Sequence, residues 1–431
     1  MYEHLFESTF EVALAALTLA YLVALLNGRP QLGIALLAFG FAPAFAAAFF
    51  FVGLLAPNTA SHMDMAAGFF FEFIILALYC RVFIYLRQQV SALPAVVTDR
   101  AMLLAFLAQI SILLYLLSSD GFGLFSEGSR IEFLFAGAAA KYIIYAGVML
   151  AALQAALLAS RITSGHGLRS LDYATILLTA ASSILSGSKG GFFLWVLSAL
   201  CLVDYRKARL GKGLLIGGPL LLLAALLLTF HFVAEFLGVE QQEFASLLVS
   251  RFFLNNDARA LAFDLQGQSS ASATLLSESF RSVANAIGSP PLNLPLGQLL
   301  YELHFGFASS TGANTSTMAL IVFYSERGEA LGPTILASAV ALSIYAGFAM
   351  IRRFARRPIV QLAATSWAAV TLHLFTQDFL AFQLVLPLGF LGLLALRAVD
   401  GKPAAKGLYQ QSFSRGRPKR TPSSSSARPA G

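Results

Sequence analysis

Ser186-Gly187-Ser188-Lys189-Gly190-Gly191 interrupts an otherwise apolar stretch, with Leu171–Leu185 before it and Phe192–Val203 after it. A helix that spans a bilayer takes ~20 residues. The second arm has only about a dozen before Asp204, Arg206, Lys207 and Arg209. With both arms starting at one membrane face, as Arg169 and Arg206 suggest, the Gly-rich tip stops inside the opposite leaflet. Irregular backbone at that depth is tolerated only where it is buried in protein or lines a watery cavity. A lysine at the tip therefore implies an anion-binding cavity within a membrane protein.

The composition agrees. The chain is 58% hydrophobic and 12% charged, with a mean hydropathy of +0.73, whereas soluble domains carry roughly a quarter charged residues. The formal net charge of +7 is local: seven of the 29 Lys and Arg lie in residues 401–431, which hold no acid. The remaining 400 residues are neutral. The tail, with Ser423–Ser426 and scattered Gly and Pro, reads as disordered. Its charge fits a cytoplasmic flank obeying the positive-inside rule, not a nucleic-acid partner. Cys80 and Cys201 stand in apolar runs and suggest neither a disulfide nor a metal site. Met1 to Glu11 has no Lys or Arg and no small-residue cleavage site, so the first apolar stretch is expected to be a retained span.

Working outward from the hairpin, apolar segments fall near Phe10–Leu26, Leu32–Ala56, Ala67–Leu86, Ala101–Leu117, Phe133–Ser160, Leu171–Leu185, Phe192–Val203, Leu214–Leu237, Leu331–Met350, Ile359–Phe375 and Phe379–Leu396. The expectation is an all-α polytopic membrane protein with about eleven transmembrane helices over residues 1–400. Lys and Arg in alternate loops put the N-terminus outside and the C-terminus inside. Loops carrying Asp64, then Asp120, Glu127 and Glu132, then Lys189, belong outside. A large external segment, about 231–333, lies between the eighth and ninth spans. Within it the apolar run Ser316–Tyr324 is too short to span, and is expected to lie at the outer surface or to re-enter.

Ionisable groups within spans are costly and usually functional. Glu72, Lys141, His373 and Asp378 share the outer half with Lys189, while Arg81 lies near the inner end of its helix. The external segment adds Arg251, Arg259, Arg281 and Arg327 among nine acids. Arg251 and Arg259 are eight residues apart and share a face if the stretch is helical; guanidinium forks suit phosphate. Glu302-Leu-His304, followed by Gly312-Ala-Asn314-Thr-Ser-Thr317, supplies candidate general bases and sugar-binding amides. No nucleotide-binding loop and no cluster of metal ligands is visible; no cofactor is expected.

The pattern resembles the bacterial O-antigen and oligosaccharide repeat-unit polymerases (the Wzy-type family) and, more distantly, O-antigen ligases. Ser186-Gly-Ser-Lys189-Gly-Gly-Phe looks like the family's Ser-Arg-Gly hairpin. Arg251…Asp257-Ala-Arg259 is similar to the arginine-bearing start of its large external loop, and Gly267 falls at an Arg-fifteen-residue-Gly spacing. Ser316–Tyr324 followed by Glu326-Arg-Gly328 is similar to the element after that loop. Where relatives often carry a His-Asn pair, this chain has Ala313-Asn314-Thr315.

The resemblance implies polymerisation of undecaprenyl-pyrophosphate-linked oligosaccharide at the outer face of the bacterial inner membrane. Lys189, Arg251 and Arg259 would bind the pyrophosphate and stabilise the charge that builds as it departs. Asp257, Glu302 or His304 would activate the acceptor hydroxyl, and Arg281, Asn314 and Lys141 are further substrate-binding candidates. The expected partners are the lipid-linked oligosaccharide, the bilayer and a chain-length regulator. An O-antigen ligase uses the same donor and stays open as an alternative. A transporter or flippase of lipid-linked sugars is the alternative from another class; it would be expected to show paired interrupted helices and a repeat between halves.

Overall fold

Helices that are apolar on every face cannot all be covered by one soluble core, and they form the frame of this chain. In the computed structural model the described residues are 2–27, 41–55, 61–118, 138–165, 167–185, 195, 198–199, 201–204, 257–267, 296–306 and 316–399. Every regular element among them is an α-helix. In chain order these are α1 (Tyr2–Leu26), α2 (Phe41–Leu55), α3 (His62–Ala92), α4 (Ala95–Ser118), α5 (Ala138–Thr163), α6 (Ser170–Leu185), α7 (Asp257–Asp264), α8 (Leu296–Phe305), α9 (Thr317–Tyr324), α10 (Leu331–Phe354), α11 (Pro358–Gln377) and α12 (Phe379–Val399).

Six of them, α3, α4, α5, α10, α11 and α12, are long and apolar enough to cross a bilayer. The apolar parts of α1 and α2, Glu11–Ala24 and Pro43–Leu55, are shorter. Each expected segment from Phe10–Leu26 to Leu171–Leu185, and each of the last three, overlaps a helix, although 32–40 and 133–137 lie outside the described residues. Leu214–Leu237, the hairpin tip 186–191 and the tail lie outside the described residues, as does half of Phe192–Val203. Leu103, Leu107 and Leu114 of α4, and Ile335, Leu336 and Leu342 of α10, are exposed, as lipid-facing side chains would be.

α11 is the central post. Within its apolar window 72% is buried, against 22% for α4 and for α10, and it packs against α3, α5, α10 and α12. Its neighbours are tied to it by polar side chains reaching backbone, a kind of link favoured where water cannot compete. Trp367 Nε1 donates to the Met149 carbonyl at 2.8 Å, and the Tyr79 hydroxyl donates to the Ala369 carbonyl at 2.9 Å. Close approach relies on glycine: a Cβ at Gly392 would stand 2.7 Å from Trp367, and one at Gly68 2.5 Å from Phe50.

Contacts sort the helix ends into two groups. Arg87 of α3 faces Asp204 at 3.9 Å, and the Asp204 N–H donates to the Thr163 hydroxyl. Arg352 of α10 stacks over Tyr85 of α3, and Arg357 before α11 donates to the Arg397 carbonyl of α12. These arginine-bearing ends form one end of the bundle, called here the basic end. The starts of α3 and α10 and the end of α11 form the other.

At that other end two expectations are revised. Asp64 is not a loop acid. It lies in the first turn of α3, fully buried, where Oδ2 accepts from Gly328 N at 2.8 Å and Gln266 Nε2 at 3.0 Å, and Oδ1 from Ala330 N at 3.0 Å. Such partners offset the burial of its charge, which is why α3 begins five residues earlier than hydropathy alone suggests. The run Ser316–Tyr324 does form a short helix, α9, but Thr317–Phe323 are all buried. A helix lying at the membrane surface by itself keeps a polar face in water; α9 instead is enclosed by protein on every side. Ser316 caps α9, its hydroxyl accepting from Ala319 N at 3.1 Å.

Candidate functional site

The site is built around α7, the eight residues Asp257-Ala-Arg-Ala-Leu-Ala-Phe-Asp264. Ala258 and Ala262 are fully buried, and their small side chains let α7 lie close against α9 and α8. Phe263 reaches the other way, to Phe49 and Phe50 of α2, with ring centroids 6.4 and 5.8 Å apart. The helix ends where Gly267 takes a left-handed φ of +83°, a conformation in which glycine carries no Cβ penalty. The spacing of Gly267 from Arg251 thus has a local cause at its glycine end.

Arg259 is the largest fully buried side chain among the described residues. Its Nη2 donates to Glu72 Oε1 of α3 at 2.8 Å and to the Thr376 carbonyl at 3.1 Å. Glu72 is equally buried, and its Oε2 has no hydrogen-bond partner. Thr376 lies in the last turn of α11, where carbonyls lack intrahelical partners and carry the negative end of the helix dipole. Three neighbouring carbonyls there are satisfied, the first by the C-cap and the other two by other elements. Leu374 accepts from Asp378 N, Phe375 from the Thr317 hydroxyl of α9, and Thr376 from Arg259. Arg259 therefore welds α7 to two membrane helices at once.

Seven residues on, Gln266 donates to Asp64 and to the Glu326 carbonyl at 3.2 Å. With Arg259 on Glu72 and Gln266 on Asp64, the segment 259–266 runs antiparallel to 64–72 of α3. Between these two anchors the outward side of α7 carries Asp264. Its Oδ2 stands 3.5 Å from His304 Nδ1 of α8, both side chains about two-fifths exposed. α8 presents His304 because it is amphipathic. Leu296 and Leu300 are fully buried one turn apart, while Leu303 and His304 face out and Glu302 is half-buried.

Of the expected site residues, then, the structure gathers Arg259 and His304 around α7, and places Glu302 two positions before His304. Asp257 and Lys141 lie in α7 and α5, with side chains outside the described residues; Lys189, Arg251, Arg281 and Asn314 lie outside them altogether. Asp378, an unusual outer charge in the sequence, caps α12, with Oδ1 accepting from Ala381 N at 3.0 Å. Arg259 has no exposed surface and, among the described residues, is held by a carboxylate and a carbonyl, an arrangement that orders the protein. Sequence reasoning singled out Glu72 as an acid inside a span but not its partner, and passed over Asp264 beside His304. Among the described residues, no group of three or more His, Cys, Asp or Glu is arranged to hold a metal. No protein-family model, no curated protein and no solved structure matches the chain.

Proposed function

We propose that this protein is a membrane glycosyltransferase that joins undecaprenyl-pyrophosphate-linked oligosaccharide repeat units into O-antigen or exopolysaccharide at the outer face of the inner membrane. The observation that carries the reading is a carboxylate–imidazole pair, Asp264 and His304, at the open side of a helix anchored in the membrane bundle. Sugar hydroxyls are poor nucleophiles, and a positioned base that removes the proton as the bond forms contributes typically ~10²–10⁴ in rate. His304 takes the acceptor proton, and Asp264 holds the ring in orientation and favours the imidazolium that results. The 3.5 Å separation is of the loose kind that tightens once substrate is bound. Of the candidates whose side chains are described, His304 is preferred to Glu302 because Asp264 is a carboxylate neighbour suited to this role.

At the donor, the bond from the anomeric carbon to the pyrophosphate oxygen breaks as the acceptor oxygen bonds to that carbon. Undecaprenyl pyrophosphate leaves with the electron pair. Lys189 and Arg251 are assigned to the charge on that leaving group, and Arg259 acts as the positioning residue that fixes α7. In a strain lacking its own polymerase, His304→Ala is expected to reduce the surface-glycan ladder at least ~100-fold, with Asp264→Asn intermediate. Protein abundance and thermal midpoint should stay unchanged, since both side chains are partly exposed. A full ladder from His304→Ala would remove the base.

A further inference from the structure

α7 is only eight residues long. A helix that short has little stability of its own, since isolated helices below ~12–15 residues are marginal. What holds its two ends is therefore what they bond to outside it. Arg259 secures the first turn through Glu72. The last turn, which carries Asp264, has a separate fixture. Gln266 Nε2 donates to Asp64 Oδ2 at 3.0 Å and to the Glu326 carbonyl at 3.2 Å. Immediately after it, Gly267 turns the chain away at a φ of +83°.

Asp64 is a rigid acceptor. Gly328 N and Ala330 N donate to its two oxygens at 2.8 and 3.0 Å, and the residue has no exposed surface. The Gln266 amide thus grips a carboxylate that main chain holds in place. Two residues before Gln266, Asp264 Oδ2 stands 3.5 Å from His304 Nδ1. That separation is longer than an ordinary N–H···O hydrogen bond, so a small displacement decides whether it closes to a bond or opens to water. A misplacement of ~1 Å at a reacting site can cost ~10²-fold in rate.

We propose that Gln266 is a positioning residue for proton transfer: by tying the last turn of α7 to Asp64 and Glu326, it sets the place of Asp264 and, through it, the ring of His304. The inference rests on the proton-transfer role given to the Asp264–His304 pair. Gln266, and not Asp64, is the residue to change, because of what each removal strands. Without the Gln266 amide, Asp64 keeps the N–H groups of Gly328 and Ala330, and no buried charge loses its last partner. Without the Asp64 carboxylate, those two N–H groups lose their acceptor, and the turn between α9 and α10 fails with them.

The test is NMR of the full chain in lipid nanodiscs, with isotope-labelled histidine rings, at alkaline pH where the imidazole is neutral. The hydrogen bond made by one ring nitrogen sets which nitrogen carries the proton, so an Asp264 carboxylate accepting from Nδ1 holds His304 as the Nδ1–H tautomer. The His304 signal is assigned by its loss in His304→Gln. The native chain is expected to show the Nδ1–H form, and Asp264→Ala to lose it. Gln266→Met keeps the side-chain length but not the donor. It should lose the Nδ1–H form as well, shift the thermal midpoint far less than Arg259→Met, and lower kcat for glycan elongation roughly tenfold with KM unchanged. Gln266→Asn, whose amide falls one methylene short, should do the same to a lesser degree and gives the reading if the Met protein is poorly folded. Gln266 variants that keep the native tautomer while Asp264→Ala loses it would overturn the positioning role and leave the pair standing. A native chain already indistinguishable from Asp264→Ala would overturn the pair itself, and with it both this inference and the base of the proposed reaction.

Discussion

Two arginines are buried among the described residues, Arg259 and Arg161, and they sit at opposite ends of the bundle in opposite kinds of surroundings. Arg161, in the last turn of α5, meets Asp172 at the start of α6, with Nε–Oδ2 at 3.0 Å, and Asp99 of α4. Asp99 is shared with Arg169, 2.8 Å away and half-exposed, whose N–H also reaches Asp172. Four charges, three from sequential helices and Arg169 from the residue before α6, thus form a balanced cluster at the edge of water. Arg259 is paired with Glu72, 187 residues distant in sequence, and both members are sealed. The first arrangement is local and partly open to water; the second is long-range and enclosed. A cluster at the edge of water can lose a member and be rehydrated, whereas a sealed pair leaves a buried charge stranded when half of it is removed.

The largest effect is therefore expected at α7. Arg259→Met or Glu72→Leu alone should each cost about 3–5 kcal/mol, the usual consequence of stranding one buried charge, and should release α7 with loss of glycan synthesis. The double replacement should recover much of the stability, because an apolar pair of similar volume often does as well as the ion pair it replaces. Thermal unfolding of the four proteins in one detergent measures this. Additive single losses would show that the two residues are not coupled. A smaller loss is expected from Arg161→Met, since Arg169 still faces Asp99 and the Arg169 N–H still reaches Asp172. The smallest is from Arg169→Ala, below about 1 kcal/mol for a half-exposed partner. An Arg161→Met loss as large as that of Arg259→Met would erase the contrast between the two ends.

The same contrast explains what the sequence could disclose. Helices made apolar on every face are visible from hydropathy, and α10, expected from Leu331, begins at Leu331. The end of α3 that hydropathy missed holds Asp64, whose burial depends on backbone N–H groups of Gly328 and Ala330 and on Gln266. No local pattern announces such donors. Glu72 was conspicuous as an acid inside a span, and a partner could be demanded of it on physical grounds, but choosing Arg259 from the arginines of the chain needed the fold. Arg251 and Arg259 read as a pair on spacing alone; the structure ties Arg259 to Glu72, a long-range partner that spacing cannot disclose. His304 was legible as a candidate base, yet Asp264 was not, because α7 and α8 are separated by residues whose path no periodicity fixes.

The most direct test of the proposed reaction uses the purified chain in liposomes, supplied with a single lipid-linked repeat unit and no nucleotide sugar. Elongated lipid-linked glycan should appear with one undecaprenyl pyrophosphate released per linkage formed, and both products should fall together in the His304→Ala protein. Redistribution of the intact repeat unit across the bilayer, with neither elongation nor pyrophosphate release, would contradict it and identify a transporter.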